Sequence, residues 1–288
     1  MQAELIVDCR NAHGEGVFWN HEDQKVWWTD IAGKALWWFE PASGQSGSLA
    51  MPDRVCAFAP RAGGGMVLAF ADGLALLDGE GRMTRIEDFE PDNDQSRLND
   101  GRTDRCGRFV VGGMNEGDGR ADSSVIRLDP DGTVTTLIRD VAISNSICFS
   151  PDGGTMYFTD TPTRRIIAYP YNQQTGTLGE ARLFADLADE PGFPDGSCVD
   201  ADGGVWNTQW DGYRVVRFTS DGAKDVVVEL PVGRVSCCAF GGPELDTLYI
   251  TTSRQGADEA ILAKEPTSGG LFAVKPGRRG VVDTPFAG

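Results

Sequence analysis

The stretch VWWTDIAGKALWWFEP, Val26–Pro41, decides the fold. Two runs of aromatic and β-branched residues, VWWT and LWWF, flank a short turn centred on Gly33. Neither run is long enough for a helix, and each fits the profile of a strand, so the stretch is a hairpin. The same design recurs five more times along the chain. The copies are MVLAFADGLALLDGEG from Met66, RFVVGGMNEG with SVIRLDPDG from Arg108, and TMYFTDTPTRRIIAYPYN from Thr155. GVWNTQWDGYRVVRFTSDG from Gly204 and TLYITTS with GGLFAVKPG from Thr247 complete the set. Asp-Gly turns at Asp72–Gly73, Asp131–Gly132 and Asp221–Gly222 punctuate the strands, as hairpin connections require. A multi-stranded unit repeating about every 40–50 residues is the signature of a β-propeller.

Six units nearly exhaust 288 residues. The expected architecture is therefore all-β: a six-bladed β-propeller spanning residues 1–288 as one domain. The leading strand ELIVD, Glu4–Asp8, precedes the first unit and is expected to pair with the last one beside GGLFAVKP. Only ADEAILAKEP, from Ala257, has helical character. The paired tryptophans Trp27–Trp28 and Trp37–Trp38 lie inside strands and are read as packing between blades, not as a sugar platform.

Composition narrows function. With 26 basic and 43 acidic residues the net charge is −17, which repels phosphate backbones and anionic lipid, so nucleic acid and membrane surfaces are poor partners. The N-terminal MQAELIVDCRNAHGEG carries neither the charged n-region nor the apolar h-region of a signal peptide. Seven scattered cysteines without a C-x-x-C pair read as reduced thiols packed in strands, and point to a cytoplasmic protein. Only two histidines are present, His13 and His21. A His₃ zinc site is thereby excluded, and a Ser-His-Asp triad would depend on one of these two.

Upstream of each hairpin lies one further strand: EGVFWN, RVCAFAP, NDGRTD, NSICFSPDG, DGSCVDADG and SCCAFGGP. Aligned in phase, they bring Glu15, Arg54, Asn99, Asn145, Asp195 and Ser236 to one equivalent position. In a propeller that position faces the central channel. Five of the six are oxygen donors. Two carboxylates and two carboxamides suit a hard divalent cation. A hydrated polar channel without metal is the alternative on spacing alone.

Four motifs sit on these strands in order: G-E-G at Gly14–Gly16, R-x-N-D-G at Arg97–Gly101, S-N-x-x-x-x-S-P-D-G at Ser144–Gly153 and F-P-D-G at Phe193–Gly196. Together they resemble the regucalcin/gluconolactonase family of sugar-lactone hydrolases, over nearly the whole chain. The resemblance implies a six-bladed propeller with one divalent cation at its axis, held by Glu15, Asn145 and Asp195. It also implies substrate contact by Arg97 and Asn99. Calcium leads among the cations, with zinc, manganese, magnesium and iron(II) as further options. The implied reaction is hydrolysis of a sugar lactone to its aldonic acid in carbohydrate catabolism. Asp195, as catalytic base, would take the proton of the attacking water. A calcium-binding regulatory propeller and a propeller esterase of other substrate class are the competing readings.

The chain departs from the family pattern at several places. Val17 stands for a usual Pro, Ser146 for Gly, Phe193 for Tyr, Gly113 for Thr, and His13 for an apolar residue. Glu116 aligns uncertainly with a family substrate contact and is given no role here. The departures bear on which lactone is used.

Overall fold

The computed structural model describes residues 1–288. Six antiparallel sheets account for nearly all regular structure. The chain divides into two compact units of three sheets each: residues 1–54 with 187–282, and residues 55–186 with 283–288.

In the first unit the sheets run Gly14–Asn20, Lys25–Asp30, Ala35–Glu40, Gln45–Ala50; then Phe193–Val199, Val205–Trp210, Arg214–Phe218, Lys224–Glu229; then Val235–Gly241, Thr247–Thr252, Leu271–Val274, Glu4–Val7. The last sheet joins the two ends of the unit. Glu4 pairs with Ala273 and Leu5 with Phe272, so the N-terminal strand takes the place anticipated for it. Trp206, Val215, Val235, Phe240, Leu248, Ile250 and Phe272 form one apolar cluster of this unit. Val17, Trp19, Val26, Trp28, Tyr249 and Leu271 form another.

In the second unit the sheets begin with Val55–Pro60, Ser96–Thr103 and Ser144–Phe149. The third of these sheets has a fifth strand, Thr177–Leu178, paired to Arg165–Asn172. Val110, Val125, Ile147, Phe149, Met156 and Phe158 pack together.

Trp28 and Trp37 pack towards another sheet as expected, in the cluster with Cys237, Ala239 and Tyr249, and they also stack on each other within their own sheet. Trp28 is fully buried and stacks on Trp37 at 6.0 Å, while the Lys25 ammonium lies 4.5 Å from the Trp38 ring. The single α-helix is Glu259–Lys264, opened by Asp258, whose carboxylate accepts from the Ile261 amide at 2.8 Å. A 3₁₀ turn at Thr161–Thr163 was not anticipated. All seven cysteines are free thiols. Cys198 and Cys238 nevertheless approach to 3.7 Å between sulfurs, on neighbouring strands. No helix is long and apolar enough to cross a membrane.

Candidate active site

The leading strand of every sheet breaks its register at one corresponding place. The shifts fall between Glu15 and Phe18, Val55 and Ala57, Leu98 and Gly101, Asn145 and Cys148, Pro194 and Ser197, and Val235 and Cys237. Five of these β-bulges sit at or beside an in-phase polar residue; in the Val55–Pro60 strand the bulge falls instead on Cys56, and Arg54 lies two residues before it, which corrects the expected alignment there. A bulge turns a side chain out of the regular alternation and aims it. Five of the six in-phase residues are buried despite their polarity: Glu15 is 9% exposed, Asn99 9%, Asn145 5%, Asp195 6% and Ser236 0%. Arg54 is half-buried.

Positive φ marks two of the bulges. Gly16 has φ 57° and Ser146 φ 59°, the left-handed region that disfavours a side chain. Both residues come directly after a proposed metal ligand. The usual Gly at position 146 therefore answers a backbone demand, and Ser146 meets that demand under strain.

In the first unit a ladder of hydroxyls fixes three leading strands side by side. The Ser236 hydroxyl donates to the Gly14 carbonyl at 2.6 Å. The Thr208 hydroxyl reaches the Gly196 carbonyl at 2.8 Å and the Ser236 carbonyl at 2.6 Å. A Cβ at Gly196 would lie 2.7 Å from the Cys237 sulfur and 2.8 Å from the Ser236 carbonyl, so the Gly of P-D-G permits this close approach. Asn207 donates to the Asp195 carbonyl at 3.2 Å and to the Ser197 hydroxyl at 3.1 Å. Glu15 and Asp195 are thus held on the strands either side of Val235–Gly241. Ser236, in phase with them, has its hydroxyl committed to strand pairing.

Asp30 anchors the approach to Glu15. Its carboxylate accepts from the His13 amide at 2.8 Å and the Ala12 amide at 3.0 Å. It also accepts from the Gly33 amide at 3.0 Å, and a Cβ at Gly33 would collide with it at 2.3 Å. Asp160 does the same job before Asn145, accepting from the Ile143 amide at 2.9 Å and the Ala142 amide at 3.3 Å. The Thr-Asp pairs 29–30 and 159–160 carry this role in both sheets. The repeated dipeptide was visible in the sequence, and its function was not read there.

In the second unit Arg97, Asn99 and Asn145 converge. Arg97 is 3% exposed. Its guanidinium pairs with Glu116 at 2.6 Å, and donates to the Leu98 carbonyl at 2.8 Å and to Oδ1 of Asn99 at 2.7 Å. Asn99 in turn donates from Nδ2 to the Ser144 carbonyl at 2.9 Å and to Oδ1 of Asn145 at 3.2 Å. Nδ2 of Asn145 donates to the Thr161 hydroxyl at 2.9 Å. Glu116, given no role in the sequence reading, belongs to this network as the counter-charge of Arg97. Asp100 accepts from the Ile147 amide at 2.7 Å. Burial pushes its carboxyl up to about 6, against the opposing effects of that amide and of Arg102.

The donor chemistry fits a hard divalent cation. Glu15 and Asp195 would supply anionic oxygen to such an ion, and Asn145 neutral oxygen. All three are buried at corresponding bulges, where an uncompensated carboxylate is costly.

The regucalcin of Agrobacterium tumefaciens, described as a calcium-binding protein, superposes with a TM-score of 0.94 at 31% identity, covering 99% of this chain and 97% of that one. The fold is thus a six-bladed β-propeller. The chain belongs to the SMP-30/Gluconolactonase/LRE-like family, whose model matches residues 13–254. The L-arabinolactonase of Azospirillum brasilense is 40% identical, covering 100% of this chain and 96% of its own. The 6-deoxy-6-sulfogluconolactonase of Pseudomonas putida is 34% identical, covering 99% and 98%.

Proposed function

We propose that this protein hydrolyses a sugar lactone to its aldonic acid, with Glu15, Asn145 and Asp195 as ligands of one divalent cation. The carrying observation is the full-length similarity to L-arabinolactonase, combined with burial of these three oxygen donors at corresponding bulges. Calcium is the first choice for an all-oxygen set.

A lactone is a cyclic ester. Water adds to its carbonyl carbon, the bond to the ring oxygen breaks, and a hydroxy acid is released. A cation bound by the three ligands would polarise the carbonyl and stabilise charge developing on its oxygen. Asp195 accepts the proton of the attacking water and returns it to the departing ring oxygen. Arg97 and Asn99 hold the sugar hydroxyls. Glu116 keeps the Arg97 guanidinium in place, and neutralises it so that it serves neutral hydroxyl groups. Asn99 links this substrate side to the ligand Asn145. No histidine is required.

Acid release in weak buffer from a panel of five- and six-carbon aldonolactones, with calcium, manganese or zinc added to stripped protein, tests the reading. Metal-stimulated release from at least one lactone is expected. Metal binding with no release from any lactone would favour the calcium-binding alternative, to which the likeness to regucalcin gives support. Faster hydrolysis of aryl esters than of every lactone would favour the esterase.

A further inference from the structure

In the first unit the residues two positions before Glu15, Asp195 and Ser236 are His13, Phe193 and Arg234. An offset of two keeps a residue on the same face of a strand. The three therefore lie one step outward from the two carboxylates, at the same end of their strands. Backbone bridges tie this rim together: Phe193 pairs with Trp210, Trp210 with Arg234, and His13 with Ser253. Trp210 is its centre. The His13 ring meets it edge-on at 5.7 Å, and the Arg234 guanidinium lies 6.0 Å from its ring centroid. Phe193 is 39% exposed, whereas the other thirteen phenylalanines are buried.

Arg234 is the unusual member. It is half-buried, its Nη2 donates to the Gly256 carbonyl at 3.0 Å, and it makes no ion pair. The segment beneath it is nonetheless firmly built. Buried Glu265 accepts from the Gly233 amide at 2.9 Å, from the Tyr213 hydroxyl at 2.5 Å and from the Ser268 hydroxyl at 3.2 Å. That carboxylate is spent on neutral donors and leaves the guanidinium uncompensated. Arg97 holds the corresponding place in its own sheet, two residues before Asn99, and is neutralised by Glu116. A chain with 43 acidic residues thus fixes one cation on an aromatic face beside its proposed catalytic carboxylate, without a counter-charge. A partly desolvated guanidinium in that state favours an anionic partner over a neutral one, because charge-assisted hydrogen bonds are the stronger ones.

We propose that Arg234 and Trp210, with His13 and Phe193, form a subsite for the exocyclic end of the lactone, and that Arg234 makes it select lactones bearing an anionic group there. The aromatic faces of Trp210 and Phe193 take the C–H surface of the sugar chain, and the guanidinium takes its terminus. The inference rests on the lactonase reading and specifies its substrate class.

The test compares a lactone ending in a carboxylate with the matched lactone ending in an alcohol. The wild-type chain is expected to show the higher kcat/KM for the carboxylate lactone. Arg234→Gln should cost that substrate about tenfold or more in kcat/KM, chiefly through KM, and the alcohol lactone less than about threefold. Arg234→Lys should recover part of the loss. Independently of any variant, the dicarboxylate product should inhibit the wild type at lower concentration than the monocarboxylate product. Equal losses for both lactones, equal inhibition by both products, or rejection of the carboxylate lactone by an enzyme that hydrolyses the alcohol lactone would each overturn the subsite and leave the lactonase reading standing. Hydrolysis of neither lactone would overturn both.

Discussion

Nδ2 of Asn99 donates to Oδ1 of Asn145 at 3.2 Å. The residue proposed to hold substrate therefore orients the residue proposed to ligate the metal. The opposite end of the Asn145 amide is fixed by Thr161, so its oxygen is presented in one orientation and retains a lone pair for a cation. The chain of contacts continues from Asn99 to Arg97 and Glu116.

Asn99→Ala should consequently weaken metal binding as well as catalysis. Residues that orient a ligand typically contribute about 10–100-fold in metal affinity. Calorimetric titration of stripped protein with calcium should show that loss. Unchanged affinity with reduced kcat would confine Asn99 to substrate.

Asp195→Asn separates ligation from proton transfer. It keeps an oxygen donor but removes the base. With metal saturating, kcat should fall by about 10²–10⁴, the usual contribution of positioned acid–base catalysis. Asn145→Asp, which keeps the oxygen and adds charge, should bind metal at least as tightly and retain activity. Activity of Asp195→Asn within threefold of wild type, with metal bound, would move the base elsewhere.

Asp100 makes stability depend on pH. Its carboxyl is raised to about 6 in the folded protein, above the ordinary aspartate value of about 3.9. The folded state therefore binds the proton more tightly, and the stability this gives is lost as pH rises through about 6. Asp100→Asn preserves an acceptor for the Ile147 amide and removes the buried charge. It should raise the melting temperature at pH 8, equivalent to about 1–2 kcal/mol, about half as much at pH 5, and scarcely at all near pH 3. Equal shifts at these pH values would contradict the assignment.

Ser146 occupies the left-handed region at φ 59°. That conformation costs a non-glycine residue about 1–2 kcal/mol, while glycine loses about 0.4–1 kcal/mol through the unfolded chain. Ser146→Gly should therefore stabilise by about 0.5–1 kcal/mol in denaturant unfolding, and Ser146→Val should destabilise by at least about 2 kcal/mol. Loss of stability in the glycine variant would show that the serine hydroxyl outweighs the strain.

Much of the fold was legible because it is periodic. The Val26–Pro41 hairpin and its five counterparts are strands in the structure, and ELIVD pairs where the repeat required. The phase alignment placed five of the six residues at a bulge and missed the sixth: in the Val55–Pro60 strand the bulge falls on Cys56, and Arg54 lies two residues before it, because the offset from the apolar Phe58 is shorter there. What could not be read depends on contacts distant in sequence. Asp30 and Asp160 act on backbone amides 17 and 18 residues away, and Glu116 meets Arg97 from just past the end of the paired strand, 19 residues on. Cys198 and Cys238 lie 40 residues apart in the chain yet 3.7 Å apart at sulfur. Ser146 was noted as a departure from Gly, but only its φ shows that the departure is one of backbone strain.

The central claim is that a divalent cation held by Glu15, Asn145 and Asp195 is required for lactone hydrolysis. The most direct measurement is the initial rate of acid release from the best aldonolactone, on protein stripped by a chelator and shown by elemental analysis to be metal-free, before and after one equivalent of calcium is restored. The account predicts no hydrolysis above the uncatalysed rate before restoration and recovery afterwards, with a higher melting temperature in the loaded protein. Full activity in the metal-free protein would contradict it.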